Sequence, residues 1–231
     1  MAWSLNALAS LASTTALSTY TTGSYTPTAN EPVFAWVVNT KASPVSTPTS
    51  LSGNGLTWNL IAGVENAATT IRGGLYWATG ASPSTGGLSA NFSGNQTGCI
   101  IHVFELTGAD PSGTIVQSNP NNASAAASLT LTLSAFGSAS NATIACFGGL
   151  RQVAINHDSG AGMSEIYDNG YATPATEGES QWKNAAVTSI TGTWSAGTAD
   201  ILGVACEVKL ATAVTTKVKD VILRGVIAKK R

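Results

Sequence analysis

Charge is what this chain has least of: Asp, Glu, Lys and Arg make up 10% of its 231 residues, against about a quarter in ordinary soluble domains. Residues 1–216 carry a formal charge of −6, so the body lacks the basic field that direct nucleic-acid binding requires. Histidine occurs only twice. A serine hydrolase built on His102 or His157 would need a nucleophile elbow of the GxSxG kind, and none is present. The three cysteines, Cys99, Cys146 and Cys206, are odd in number and never at CxxC spacing. Each sits in an apolar, strand-like run, which predicts buried free thiols rather than a disulfide frame or a zinc knuckle. Apolar runs long enough to cross a bilayer are missing, and the first ten residues have no basic segment of the signal-peptide type. A sustained 3.6-residue period is missing too, which argues against helices.

What remains is rich in Ser, Thr, Asn, Gly and Ala, with apolar residues in short runs. Residues 91–119 organise the rest: the apolar run Cys99 to Leu106 reads as a central core strand, and Gly108-Ala-Asp-Pro-Ser-Gly113 as a turn. There Asp110 can bond the backbone ahead of it, Pro111 fixes φ and Gly113 can take a positive φ. Val33 to Val38, Thr70 to Thr79, Leu88 to Phe92, Asn141 to Phe147 and Ile201 to Leu210 read as further strands. Leu129-Thr-Leu-Thr-Leu133 alternates strictly, as a half-buried strand does. Asn54-Gly55 marks a tight turn, and the Gly73-Gly74 pair a bulge or a close backbone approach. Short strands are also expected in residues 160–168, 180–187 and 189–194. Leu5, Leu8 and Leu11 mark a short amphipathic turn or two, and residues 119–127 a soft linker. Turn signals every 8 to 12 residues or so predict an all-β, antiparallel β-sandwich. The expected organisation is an N-terminal segment (1–13), one sandwich domain (14–211) and an extended, basic and apolar C-terminal arm (212–231).

Several residues invite chemistry. His102 and Glu105 share a strand, but their odd spacing puts them on opposite faces, so they cannot act as a pair. Glu105 and Glu207 are the strand carboxylates available for a glycosidase pair; no alternating run of the ExDxE kind is read, and structural hydrogen bonding is expected of both. Asp110, Asp158 and Asp168 sit in turns without the alternating oxygen ligands of a calcium loop, so no metal and no cofactor is expected. Trp36, Trp58 and Trp77 read as core. Trp182 and Trp194 have polar neighbours and are the candidates for stacking on a sugar, with core or interface packing as the alternative. The last fifteen residues hold six basic side chains against Asp220, a charge of +5. There Val218, Val221, Ile222 and Ile227 alternate with Arg224, Lys229, Lys230 and Arg231 in a segment suited to adding a strand to a neighbouring sheet edge.

The pieces Gly53-Asn-Gly-Leu-Thr-Trp-Asn-Leu-Ile-Ala62, Tyr76-Trp-Ala78, Ala81-Ser-Pro-Ser-Thr-Gly86, Phe92-Ser-Gly-Asn-Gln-Thr-Gly98, Phe104-Glu-Leu-Thr-Gly-Ala-Asp110 and Ala172-Thr-Pro-Ala-Thr176 together resemble a β-sandwich family common among structural proteins of tailed bacteriophages, over residues 14–211. The resemblance implies a jelly-roll or lectin-like architecture and a place in the virion, for a chain made in the host cytoplasm. It rests on turn and core signatures and carries no catalytic residues. The expected function is that of a non-enzymatic structural protein that decorates or reinforces the capsid. Its partners would be the major capsid protein or further copies of itself, with no membrane and no direct nucleic-acid contact, in an oligomeric state within the particle. The alternatives are a tail or fibre component and a glycan-binding adhesion module.

Overall fold

Among the described residues, the apolar runs at 33–38, 99–106, 142–147 and 201–208 all become strands. The computed structural model describes residues 3–42 and 44–211. The first eight strands are β1 (Ser4–Ser13), β2 (Leu17–Thr21), β3 (Val33–Thr40), β4 (Ser50–Ser52), β5 (Asn59–Glu65), β6 (Ile71–Ala78), β7 (Ser89–Gln96) and β8 (Gly98–Thr107). They form a five-stranded sheet in the order β1-β8-β3-β6-β5, faced by a three-stranded sheet in the order β2-β7-β4. The next eight are β9 (Ile115–Ala126), β10 (Ser128–Thr132), β11 (Ala142–Gly149), β12 (Ile155–Asn156), β13 (Ser164–Ala172), β14 (Ala175–Lys183), β15 (Ser189–Trp194) and β16 (Ala199–Val208). Their sheets run β9-β16-β11-β14-β13 and β10-β15-β12.

Adding eight to each strand number of the first half reproduces the order of the second. The expected all-β, antiparallel sandwich is therefore present, but the single jelly-roll or lectin-like sandwich expected over 14–211 is corrected: the order is that of a jelly roll laid down twice in succession. A shared β-bulge fixes the correspondence residue by residue: Leu60/Ala62 opposite Tyr76/Leu75 in the first half, Glu165/Tyr167 opposite Gln181/Ser180 in the second. Val33 pairs with Glu105 and Ala78 in the first half, and Thr143 with Glu207 and Lys183 in the second. The same phase superposes Trp77 on Trp182 and Gly73 on Gly178.

The two five-stranded sheets pack face to face. Phe34, Trp36, Ile100 and Phe104 from one meet Ile144, Cys146, Leu202 and Val204 from the other. Two matched rows lie along one another at the centre of this interface, Gly73-Val38-Ile100 against Leu202-Gly148-Gly178. A Cβ on Gly73 would lie 2.7 Å from Leu202, one on Gly148 2.8 Å from Val38, and one on Gly178 3.1 Å from Ile100. Each branched side chain thus sits against a glycine of the opposite half, and that is how two such sheets come within packing distance. Trp36 Nε1 crosses the same interface to donate to the Phe147 carbonyl at 2.9 Å. The three-stranded sheets close the outer faces over separate cores, with Tyr20, Val37, Phe92 and Ile101 in one and Leu131, Phe147, Ile190 and Trp194 in the other.

Several sequence expectations change. Leu5, Leu8 and Leu11 lie in a strand of the first jelly roll, not in helical turns of a separate N-terminal segment. The three-residue spacing arises from a β-bulge between Ala7 and Ala9: Leu5 faces the shared core, whereas Leu8 and Leu11 face the core beneath β7. Residues 119–127 are mostly strand β9, not a linker. β9 is an edge strand, where Pro120 and a run of Asn are tolerated because the ladder is needed on one side only. Gln117, Asn119 and Asn121 donate side-chain amides to the carbonyls of Ser134, Thr132 and Thr130, stitching β9 to the β10 segment. The strand of Cys99 to Leu106 lies next to the centre of its sheet, and β3 occupies the centre.

The turn at residues 108–113 joins the two halves. Asp110 Oδ1 accepts from Ser112 N at 3.0 Å, as expected, but the positive φ falls on Gly108, at 91°, and not on Gly113. Lys209 Nζ lies 2.9 Å from Asp110 Oδ2, and Ala211 N donates to Gly108 O, so the end of the second half is tied back onto the join. The arm residues Val218, Val221, Ile222, Arg224, Ile227, Lys229, Lys230 and Arg231 lie outside the described residues. No helix among the described residues is long and apolar enough to cross a membrane.

Candidate functional site

Glu105 and Glu207 occupy the same position in the two jelly rolls and do the same work. Glu105 accepts from the backbone N of Thr28 at 2.5 Å and from its hydroxyl at 2.8 Å. Glu207 accepts from Gly137 N, Asn141 Nδ2 and Gln117 Nε2 at 3.1, 2.6 and 2.7 Å. Each buried carboxylate fastens the loop that enters the third strand of its roll. The two belong to different halves and do not form a catalytic pair.

His102 faces the opposite side of β8 from Glu105, as its spacing requires. Its Nδ1 lies 2.6 Å from Ser180 Oγ of the second half, and its ring packs beside Tyr167 with centroids 5.2 Å apart. Both His102 and Ser180 are fully buried between the sheets, where no substrate reaches a Ser/His pair. Burial lowers the imidazole pKa to about 3, so the ring is neutral at ordinary pH.

Of the two sugar-stacking candidates, Trp194 is corrected. Trp194 is 4% exposed and packs with Phe147 and Ile155 in the second outer core, so it offers no platform. Trp182 is half-buried against the shared core, in the same place that Trp77 occupies in the first half. Both follow from register: the alternation of β14 and β15 points these rings inward despite their polar neighbours in sequence.

The polar cluster that does form was not anticipated. On β14 the run Glu177-Gly-Glu-Ser-Gln181 alternates carboxylate, carboxylate and amide along one face. These three pair with Gly149, Phe147 and Ala145 of β11, residues directed toward the β10-β15-β12 sheet. A bulge in β13 between Glu165 and Tyr167 brings Glu165 and Asp168, three residues apart, onto that same face opposite Gln181 and Glu179. The loop at 157–163 closes over them. Asp158 fixes it, donating its N–H to Gln181 Oε1 and accepting from Ala161 N and Thr191 N at 2.9, 2.9 and 2.8 Å. His157 is thereby carried over the acidic face, with Nδ1 3.6 Å from Glu165 Oε2.

Glu179 is the centre of the cluster. Its side chain is fully buried, and neither carboxylate oxygen has a hydrogen-bond partner. Burial, reinforced by Glu165 and Asp168, pushes its pKa up to about 10. Glu177 and Asp168 are raised as well, chiefly by burial and then by their acidic neighbours. One ligand atom each from His157, Glu165 and Glu179 lies within 4.8 Å of the others.

The first half answers the same positions differently. Glu177, Glu179 and Gln181 correspond to Arg72, Gly74 and Tyr76. There Arg72 is paired with Glu65, and the Tyr76 ring lies 2.8 Å from where a Gly74 Cβ would be. An aromatic ring fills in one jelly roll the space that an unpartnered carboxylate occupies in the other. The alternation Glu177-Gly-Glu179-Ser-Gln181 stands in the sequence, but it follows a Pro turn, and a strand expected from Ser180 onward excludes both acids, whereas β14 begins at Ala175.

An open cavity of about 370 Å³ lies at one end of the shared interface, lined by Thr40, Lys41, Thr70 and Thr97 of the first half and Leu150 and Pro174 of the second. No protein-family model, curated protein or solved structure matches the chain.

Proposed function

We propose that the protein is a non-enzymatic structural component of a tailed-phage particle, one that decorates or reinforces the capsid through its broad faces. The supporting observation is the character of the two outer sheets. On the first, Thr19-Asn91-Ser50 and Thr21-Ser89-Ser52 form cross-strand rows, several of them linked to one another by hydrogen bonds. On the second, Ser128-Thr193-Asn156, Thr130-Thr191 and Thr132-Ser189 do the same. Both ends of the four-layer slab are therefore paved with short uncharged hydroxyl and amide side chains. Such surfaces suit contact by shape and hydrogen bonding with a repeating shell, with little entropy lost on ordering.

The partners in this reading are the major capsid protein or further copies of the chain, with the basic arm at 212–231 as an added contact. The test is co-expression with the capsid proteins of the phage that encodes the chain. The wild-type protein should sediment with the heads at a fixed ratio, and Thr130→Glu combined with Thr191→Lys, which places opposite charges across the ladder, should remove it from them while its melting temperature stays within a few degrees of wild type. Wild-type protein that stays wholly in the soluble fraction, and binds a glycan array instead, would replace this reading with an adhesion module.

A further inference from the structure

We propose that His157, Glu165 and Glu179 form a site for one divalent transition cation of the zinc or manganese class, which clamps the 157–163 loop to the edge of the second jelly roll. Three successive segments within 23 residues of the chain converge here: the end of β12, the bulge of β13 and the inward face of β14. The ligand atoms lie within 4.8 Å of one another; metal bonds of about 2.0 to 2.2 Å hold tetrahedral donors about 3.3 to 3.6 Å apart, a spacing that His157 and Glu165 already have at 3.6 Å and that Glu179 reaches by a small side-chain adjustment.

Acidic clusters are common and prove nothing by themselves. What points to a ligand is Glu179, fully buried with both oxygens unpartnered. Buried polar atoms are satisfied in the great majority of cases, and each exception calls for a cause. Asp168 Oδ1 and Gln181 Nε2 on the same face are unpartnered as well. The matched position in the first half is Gly74, covered by Tyr76. The jelly roll therefore has no architectural need for a carboxylate there.

The donor set selects the ion. One imidazole nitrogen with two carboxylates suits zinc or manganese, whereas calcium and magnesium prefer oxygen-only shells. Glu165 is exposed and His157 half-buried, which leaves the outer side of the ion open to water and gives it a path of entry. Glu179 holds the inner side.

The test uses the purified full chain, stripped with EDTA and titrated with zinc chloride or manganese chloride by calorimetry and thermal melting. Calcium and magnesium chloride serve as comparison ions. The expected result is one equivalent bound and a melting temperature raised by several degrees at saturation. His157→Ala and Glu179→Gln should each weaken binding about tenfold or more. Glu179→Gln is isosteric with the protonated acid, and His157 lies near the surface, so the two variants do not share a folding risk. Absence of saturable binding, binding that survives both substitutions, or an equal response to calcium would each overturn the proposal.

Discussion

Val38 of the first jelly roll lies directly against Gly148 of the second, at the middle of two facing rows in which each branched residue meets a glycine. A Cβ at Gly148 would come within 2.8 Å of Val38 Cγ2 and 3.2 Å of its Cγ1. Both are fixed by packed β-strands, so neither side can retreat without moving a sheet. Gly148→Val should destabilise the protein by about 1 to 3 kcal/mol through overpacking. The two jelly rolls should still unfold together, since each has one face of its five-stranded sheet in the shared core. Urea denaturation followed by tryptophan fluorescence checks this, and a midpoint equal to wild type would mean that the halves do not pack here.

Glu207 gathers three donors from two separate segments, and its removal strands the buried amide of Asn141. Glu207→Ala should cost about 2 to 4 kcal/mol, because hydrogen bonds to a charged acceptor contribute about 1.5 to 3 kcal/mol each and are only partly replaced by water. Glu105→Ala, which frees two donors of one residue, should cost less. Thermal melts of the two variants rank them.

Much of the fold can be read from residue order. The alternation of Leu129 to Leu133 and the apolar runs at 33–38, 99–106, 141–147 and 201–210 all become strands where expected. The duplication is hidden because matched positions share a role but seldom an identity: Trp36 corresponds to Cys146, Phe34 to Ile144 and Val38 to Gly148. Only pairs such as Glu105 with Glu207 and Trp77 with Trp182 keep their residue type, and they lie too far apart to form a visible repeat. The strand at β1 is disguised by a bulge and that at β9 by the polar composition an edge strand permits. The acidic cluster escapes because its members come from three segments brought together by the bulged ladder between β13 and β14 and by the hydrogen bonds of Asp158.

His102 makes stability depend on acid. Its folded pKa, about 3, is below the unfolded value of about 6.5. The contribution is therefore complete above about pH 6.5 and is lost as pH falls toward 3, at up to about 1.4 kcal/mol per pH unit. Glu179 acts in the opposite sense: its folded pKa is raised, so it favours the folded state most below its unfolded pKa and less as pH rises. The clean measurement is thus the difference in unfolding free energy between wild type and His102→Asn across pH 3 to 8. It should slope in the acid range and be flat above about pH 6.5.

All three thiols are buried, and burial raises their pKa values well above that of a free cysteine. Since the thiolate is the reactive form, a thiol reagent at pH 8 should label none of Cys99, Cys146 and Cys206 in the native protein and all three in 6 M guanidinium. Mass spectrometry counts the adducts, and labelling at the same rate in both states would show that the strands carrying them open readily.

The claim that the protein is a structural part of a particle is tested most directly by its copy number in purified phage particles encoded with it, measured by quantitative mass spectrometry against the major capsid protein. The account predicts a fixed, high ratio that is unchanged between preparations and concentrated in separated heads. Absence from the particles, or a trace that varies with purification, would contradict it.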